Sequence, residues 1–323
     1  VAALRRIQPV QESWMTLKLR TGLGRNLMRA YLNRVHQPAS CRWLRLFYSM
    51  TRFPAGACDL IVSAGGKTSF ANAWLARRVG VPNVYAGSLR RLSPQLFTVV
   101  LTLEPVRGAS GNLVLDLPPS AIDFGALQIE GERFLEQLAL AGQRCWTLLI
   151  GGNGAGYQYR RQDWQALARL MNALASRYDI RWLLVSSRRS GKRAEHLLWD
   201  NIDAGIVAAH SWYEEGGGFR VDAWLGAGQR IFVTEDSMTM LTEAIYSHRP
   251  VVSLRPQRAL PTDRYERMMQ RFADSGYLCR YALAELSQQP GMLEGRQCGV
   301  LEVSPLDELA GQLRKRLGMA RTH

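Results

Sequence analysis

A chain of 323 residues exceeds what one hydrophobic core usually organises, so two domains of ordinary size are expected. With 47% hydrophobic and 21% charged residues it is neither disordered nor fibrous, and it contains no apolar run of about 18 residues that would make a membrane-spanning helix. The net charge of +14 is concentrated at the front, where residues 1–60 hold ten Lys or Arg against only Glu12 and Asp59.

In that basic region, charge alternates with apolar and aromatic side chains, as in Cys41-Arg42-Trp43-Leu44-Arg45-Leu46-Phe47-Tyr48. The pattern suits an anionic membrane surface, with rings at headgroup level and each basic residue adding about 1 kcal/mol. It equally suits an amphipathic core helix with a solvated basic face, whereas no nucleic-acid recognition module is present. The sequence opens at Val1 without a basic-then-apolar leader, so no secretion signal is expected. Cys41, Cys58, Cys145, Cys279 and Cys298 are odd in number, scattered and never in a Cys-x-x-Cys pair. They are therefore expected to be free thiols in a reducing cytoplasm, with no disulfide framework and no structural zinc.

Along the first half, Leu17 to Val35 reads as a helix interrupted by Gly22 and Gly24, and Asp59 to Ser63 as a short strand. The glycine-containing turn Gly65-Gly66-Lys67-Thr68 then leads to a helix over Phe70 to Val79, with further strands at Val81–Tyr85 and Phe97–Thr102. The pattern restarts near Gly142. Trp146–Ile150 is a strand, Gly151 to Gly156 a glycine turn, Asp163–Tyr178 an amphipathic helix, Arg181–Ser187 a strand and Lys192–Trp199 a helix. Ile231–Thr234 and Val251–Leu254 are further strands, and Pro305–Leu317 a final helix. Alternating strands and helices imply parallel sheets, hence an α/β protein. The boundary is expected within residues 125 to 145. The domains are read as 1–135 (acceptor- and membrane-facing), 136–304 (nucleotide-sugar-binding) and 305–323, a helix that packs back on the first domain.

The most informative stretch is Ile231-Phe232-Val233-Thr234-Glu235-Asp236-Ser237-Met238, a buried strand turning into a helix whose first amides attract an anion. Glu243, about two turns along that helix, is placed to meet a sugar hydroxyl. A simpler reading makes Asp236 or Ser237 an N-cap and Glu243 a solvated helix residue. Two other turns fall at the same type of strand end. Gly151-Gly152-Asn153-Gly154 lets backbone approach a phosphate, and Ser187-Arg188-Arg189 brings hydroxyl and guanidinium groups suited to a diphosphate. In a parallel sheet such turns converge on one ligand.

Two motif matches fail. A P-loop ending at Gly66-Lys67-Thr68 needs glycine where Ile61 stands, and a dinucleotide fingerprint beginning at Gly152 needs glycine where Tyr157 stands. His36, His196, His210, His248 and His323 show no metal-ligand spacing, so neither metal nor bound cofactor is expected. Candidates for a general base are Asp59, His36, Glu214 and Glu215, and Ser211 to Gly218 reads as a mobile lid or a plain surface loop.

Val233-Thr234-Glu235-Asp236-Ser237-Met238, with Ser187-Arg188-Arg189, Leu149-Ile150-Gly151-Gly152 and Gly65-Gly66-Lys67-Thr68, resembles the elongated-mitochondria family of GT-B-like proteins over about residues 55 to 260. Plant members of that family are linked to mitochondrial fission, and bacterial members are regarded as glycosyltransferases of surface polysaccharide or lipopolysaccharide core. The resemblance implies two Rossmann-like domains with parallel sheets facing an interdomain cleft. It further implies a nucleotide-diphosphate sugar donor held by the C-terminal domain. Gly151, Gly152, Asn153, Gly154, Ser187, Arg188, Arg189, Glu235, Asp236, Ser237, Met238 and Glu243 would bind the donor, with Gly151 to Gly154 and Ser237 near the diphosphate, Arg188 and Arg189 helping with phosphate charge and Glu243 at the ribose, and Gly65, Gly66, Lys67 and Thr68 would line the N-domain side of the cleft. The expectation is therefore a metal-independent glycosyltransferase, cytoplasmic and peripheral to the inner membrane. It would act on a lipid-linked or lipopolysaccharide-core acceptor. A two-domain nucleotide-sugar epimerase and a non-enzymatic adaptor are the alternatives.

Overall fold

The computed structural model describes residues 1–51, 57–65, 67–216 and 221–319. The chain divides into two compact units, one comprising Val1–Ala121 with the C-terminal helix Pro305–Leu317, the other Ile122–Ser304.

In the first unit, the short helix α1 (Ala2–Arg5) is followed by strand β1 (Leu17–Leu19), helices α2 (Leu23–Arg34) and α3 (Leu44–Phe47), and strand β2 (Tyr48–Met50), which pairs antiparallel with β1. Residues 17–19 were expected to be helical. They extend because Leu17 and Leu19 find a partner strand in β2, so tertiary pairing overrides the local period. The basic-aromatic run is a 3-10 turn, one turn of helix and a strand, burying Leu44 and Tyr48 but leaving Trp43 and Leu46 56% and 63% exposed. Beyond it, β3 (Ile61–Ala64), β4 (Asn83–Ala86), β5 (Val99–Thr102) and β6 (Asn112–Val114) form a parallel sheet in that order, with α4 (Ser69–Val79) crossing from β3 to β4. Buried amides lock these elements: Asn83 donates to Asn72 Oδ1 at 2.7 Å and Asn72 to the Val84 carbonyl at 3.1 Å. Helix Pro305–Leu317 joins this unit, with Arg6 paired to Asp307 and Arg316 donating to the Ser110 carbonyl at 2.8 Å.

The second unit opens with α5 (Phe124–Gln137), whose start precedes the boundary expected from sequence. It belongs here because it packs along α8 (Val221–Ala227), with the Phe134 and Trp224 rings 4.8 Å apart. The sheet uses β7 (Cys145–Ile150), β9 (Arg181–Ser186), β10 (Val207–Ser211), β11 (Ile231–Thr234), β12 (Val251–Arg255) and β14 (Cys279–Ala282). All pair in parallel, in the order β10-β9-β7-β11-β12-β14. The short β8 (Tyr157–Gln158) and β13 (Arg258–Ala259) form a separate antiparallel pair. Trp146, Leu148, Ile150, Trp182, Leu184 and Phe232 point to one face, packing with α6 (Arg161–Tyr178), α7 (Lys192–Trp199) and α11 (Leu283–Gln288). Thr147, of opposite parity, donates to the Trp224 carbonyl of α8 at 2.7 Å on the other face. Helices α9 (Met238–Tyr246) and α10 (Asp263–Asp274) complete the unit.

The cysteines depart from expectation. Cys279, in edge strand β14, is disulfide-bonded to Cys298, with their Cα atoms 5.3 Å apart, while Cys41, Cys58 and Cys145 are free. A spacing of nineteen residues gave no sign of this pair, because only the fold returns residue 298 to the sheet edge. Among the described residues, no helix is long and apolar enough to cross a membrane.

Candidate functional site

The strand order makes the site. From β7 the chain runs to β9 and β10 on one side, then jumps back to β11, β12 and β14 on the other. Loops leaving β7 and β11 therefore diverge between neighbouring parallel strands, the position where open α/β sheets bind ligands. The turns after β9, β7 and β11 lie side by side on one sheet edge.

Their contacts are mutual. The Gly151 amide donates to Thr234 Oγ1 at 2.6 Å and the Gly152 amide to Asp236 Oδ1 at 3.1 Å. The Gly151 carbonyl accepts from Ser187 Oγ at 3.1 Å and from Ser190 Oγ at 2.6 Å. Gly154 and Tyr157 exchange backbone hydrogen bonds, and Asn153 Oδ1 accepts from the Tyr159 amide at 2.9 Å. The expected amide cradle is thus corrected: the amides of Gly151, Gly152 and Gly154 stitch the turn to its neighbours instead of facing a phosphate. Gly152 is required there, since its φ is +151° and a Cβ would collide with the Arg189 carbonyl.

Asp236 is the hub. It is 2% exposed and accepts from the Thr234 hydroxyl at 2.8 Å, while Arg189 Nη2 stands 3.1 Å from Oδ2. That Arg189 contact is an ion pair without hydrogen-bond alignment. Burial pushes the Asp236 carboxyl above its ordinary value, and the Gly152 amide, Arg189 and Thr234 offset this only in part. Ser237 caps α9, its Oγ accepting from the Met240 amide at 3.4 Å. The amides of Met238 and Thr239 begin the helix and have no carbonyl of their own turn to meet, so the anion-attracting groups sit there. Met238 is half-buried and Arg188 exposed.

Glu235 does not line a ligand site. Fully buried, it is bracketed by Arg280, whose Nε and Nη2 lie 2.5 and 3.0 Å from its two oxygens, with Ser253 Oγ at 3.2 Å. Tyr159 and Tyr265 fix its backbone: the Glu235 amide donates to Tyr159 Oη at 2.8 Å, and Tyr265 Oη donates to the Glu235 carbonyl at 2.8 Å. The sequence reading missed Tyr159, Ser190, Tyr265 and Arg280 because each lies remote from the glycine or helix-start signals. Only a buried acid's need for a cation pointed toward Arg280.

Glu243 is half-buried, not solvated, and its carboxyl is raised first by burial and then by the charge of Asp222. A raised carboxyl contributes stability below its unfolded pKa and loses it as pH rises through the folded value, so its charge is unfavourable to the fold at neutral pH. In the first unit, Gly66 lies outside the described residues. Gly65 is exposed and takes φ +87°, Lys67 is exposed, and the Thr68 hydroxyl donates to the carbonyls of Ala64 and Gly65 at 3.0 and 2.9 Å. His36 and Asp59 are exposed in this unit, whereas Glu214 and Glu215 are exposed in the other, Glu215 within 3.7 Å of His210. The stretch read as a mobile lid or a plain surface loop is anchored where described: Trp212 is buried and the Tyr213 amide donates to Ser186 Oγ at 2.7 Å, while residues 217–220 lie outside the described residues. Among the described residues no group of three His, Cys, Asp or Glu is placed to hold a metal.

Parallel sheets and a switch-point crevice define an α/β protein with Rossmann-like units, the class that includes GT-B glycosyltransferases and nucleotide-sugar epimerases. The family model for mitochondrial fission ELM1 matches residues 3–317, and the chain belongs to that family. No curated protein matches it. Among solved structures, the UDP-GlcNAc 2-epimerase of Methanocaldococcus jannaschii is similar with TM-score 0.51 and 13% identity, over 80% of this chain and 77% of that one. The ADP-heptose LPS heptosyltransferase II of E. coli is similar with TM-score 0.43 and 14% identity, over 80% and 76%. A family 9 glycosyl transferase from Veillonella parvula has TM-score 0.40 and 12% identity, over 92% and 80%. These likenesses concern fold.

Proposed function

We propose that the protein is a glycosyltransferase that takes a sugar from a nucleotide-diphosphate donor and passes it to a lipid-linked or lipopolysaccharide-core acceptor. The observation that carries this reading is the alignment of the turns after β9, β7 and β11 on one edge, with the first amides of α9 at the topological switch. The donor diphosphate would sit at the start of α9 near Arg188 and Arg189, where the helix dipole and guanidinium charge favour the leaving diphosphate without requiring a metal. The acceptor hydroxyl would require a general base, for which His36, Asp59, Glu214 and Glu215 are the candidates.

Calorimetric titration with UDP, ADP and GDP is expected to give saturable binding of at least one. No binding of any would end this reading. Nucleotide sugar incubated without acceptor should stay unchanged; appearance of its epimer would assign the alternative chemistry instead.

Glu243→Ala is expected to weaken nucleotide binding about tenfold by removing a ribose partner. Its effect on stability at neutral pH should be small or favourable, given the raised carboxyl. Unchanged affinity would remove Glu243 from the site.

We also propose peripheral attachment of the first unit to an anionic cytoplasmic membrane surface. Support comes from Arg42 and Arg45, exposed beside Trp43 and Leu46, with Trp14 78% exposed in the same unit. Replacing Arg42 and Arg45 together by glutamine is expected to lower partition onto anionic liposomes about tenfold or more at low salt, with less effect at high salt. Equal partition of variant and parent would rule out this docking surface.

A further inference from the structure

A second basic feature lies between the turns after β7 and β9, sharing Gly152, Asn153 and Arg189 with the switch-point turns. A cavity of about 380 Å³ opens between the start of α6 and the start of α7. Arg160, Arg161, Arg189 and Arg193 line it, together with Asn153 and the buried Trp164. Its lining includes neither Ser237 nor Met238 nor Glu243.

The charge there is unbalanced. Arg189 is paired with Asp236, but among the described residues no carboxylate pairs with Arg160, Arg161 or Arg193. The nearest acid of the α6 start, Asp163, is buried and accepts from the backbone amides of Arg160 and Gln257 at 2.8 and 3.0 Å. Like charges gathered around a concave space repel one another and destabilise the free protein unless an anion joins them. Guanidinium forks match phosphate oxygens two at a time, and the two helix starts add partial positive charge. The volume admits a diphosphate or a phosphorylated sugar and exceeds what a chloride would require.

We propose that this pocket is a separate site for a ligand group carrying at least two phosphate charges, distinct from the switch-point crevice. Arg160, Arg161 and Arg193 are its binding residues, and Arg189 is shared with the Asp236 contact. This inference does not rest on the glycosyltransferase reading, because it needs only the pocket and its charge.

The probe is inorganic pyrophosphate, titrated calorimetrically into the full chain at fixed ionic strength. Replacing Arg160, Arg161 and Arg193 together by glutamine is expected to weaken pyrophosphate at least about a hundredfold. Arg169→Gln, which removes one charge on the exposed side of α6, should alter it less than about twofold, whereas Arg193→Gln, the matched single change inside the pocket, should weaken it about fivefold or more. Affinity for whichever nucleotide diphosphate binds should also stay within about threefold in the triple variant. Pyrophosphate affinity unchanged in the triple variant, or reduced as much by Arg169→Gln, would overturn the site. Proportional loss of nucleotide and pyrophosphate binding would overturn its separateness. Competition by dissolved glucose 1,6-bisphosphate, against competition by vesicles containing phosphatidic acid, tells whether the phosphates arrive free or on a lipid headgroup, and failure of both to compete would overturn the assignment to phosphorylated ligands. Without pyrophosphate, Arg169→Gln should melt with the parent and the triple variant at or above it, since the repulsion is relieved, and the single substitution Arg193→Gln provides a milder test if the triple variant melts early.

Discussion

Arg280→Ala is expected to cost about 3–5 kcal/mol of stability, read as a lowered denaturant midpoint. The size follows from what the substitution leaves behind. Glu235 has no exposure, and its charge is balanced by the two Arg280 contacts at 2.5 and 3.0 Å, with Arg255 farther off at 3.8 Å. Arg280 also holds Glu266, at 2.6 and 2.9 Å. Burial alone would lower the Arg280 pKa, but the hydrogen bonds and charges of Glu266 and Glu235 outweigh it, so the cation is secured. Remove the guanidinium and a carboxylate is stranded inside the sheet edge, which costs more than the ion pair itself contributes. The companion change Glu235→Leu in the Arg280→Ala background should recover most of the loss; a loss under about 1 kcal/mol in the single variant would refute the account. Acid titration gives a further check. Hydrogen bonding to Arg280 holds Glu266 below its ordinary value, so its contribution is present above the unfolded carboxylate pKa and lost as pH falls through the folded one. Arg280→Ala should flatten that acid limb.

Asp236→Ala is expected to reduce nucleotide affinity about a hundredfold or more while costing about 1–3 kcal/mol of stability. Asp236 touches three elements at once: the Gly152 amide after β7, the Thr234 hydroxyl at the end of β11, and Arg189 after β9. Alanine leaves the buried Gly152 amide without an acceptor, takes from the Thr234 hydroxyl the group it donates to, and frees Arg189, so the turns lose their common spacing. Asp236 acts here through the loops it positions. Asp236→Asn keeps an acceptor for Gly152 and removes a charge whose pKa burial has raised, so its stability at neutral pH should match or exceed the parent. Full affinity in Asp236→Ala, with the melt lowered as expected, would show that the switch-point crevice is not the nucleotide site.

Much of the second unit was legible in the sequence because its signals are local. Helix Lys192–Trp199 matches its predicted span, α6 starts two residues before the predicted position, and in the first unit the helix Pro305–Leu317 also matches. Long amphipathic periods and fully apolar strands announce themselves within a few turns. The misses share a cause. Residues 17–19, β10 and β14 are short strands whose identity comes from a distant partner, and Asn112–Val114 is no more apolar than a loop. The Cys279–Cys298 pair belongs with them.

The same division runs through the candidate site. Strand-turn-helix punctuation marked the turns at Gly151, Ser187 and Asp236 from sequence, because glycine, hydroxyl and acid residues at strand ends have conformational and capping preferences readable one residue at a time. It did not determine what those groups face. Hydrogen bonds have direction and buried charges need partners, and both are satisfied across strands far apart in the chain. Only the strand order β9-β7-β11 therefore decided that Gly151 and Gly152 bind their neighbours, that Glu235 belongs to Arg280, and that three arginines, with no carboxylate partner among the described residues, converge on a pocket the sequence scatters over thirty-four positions.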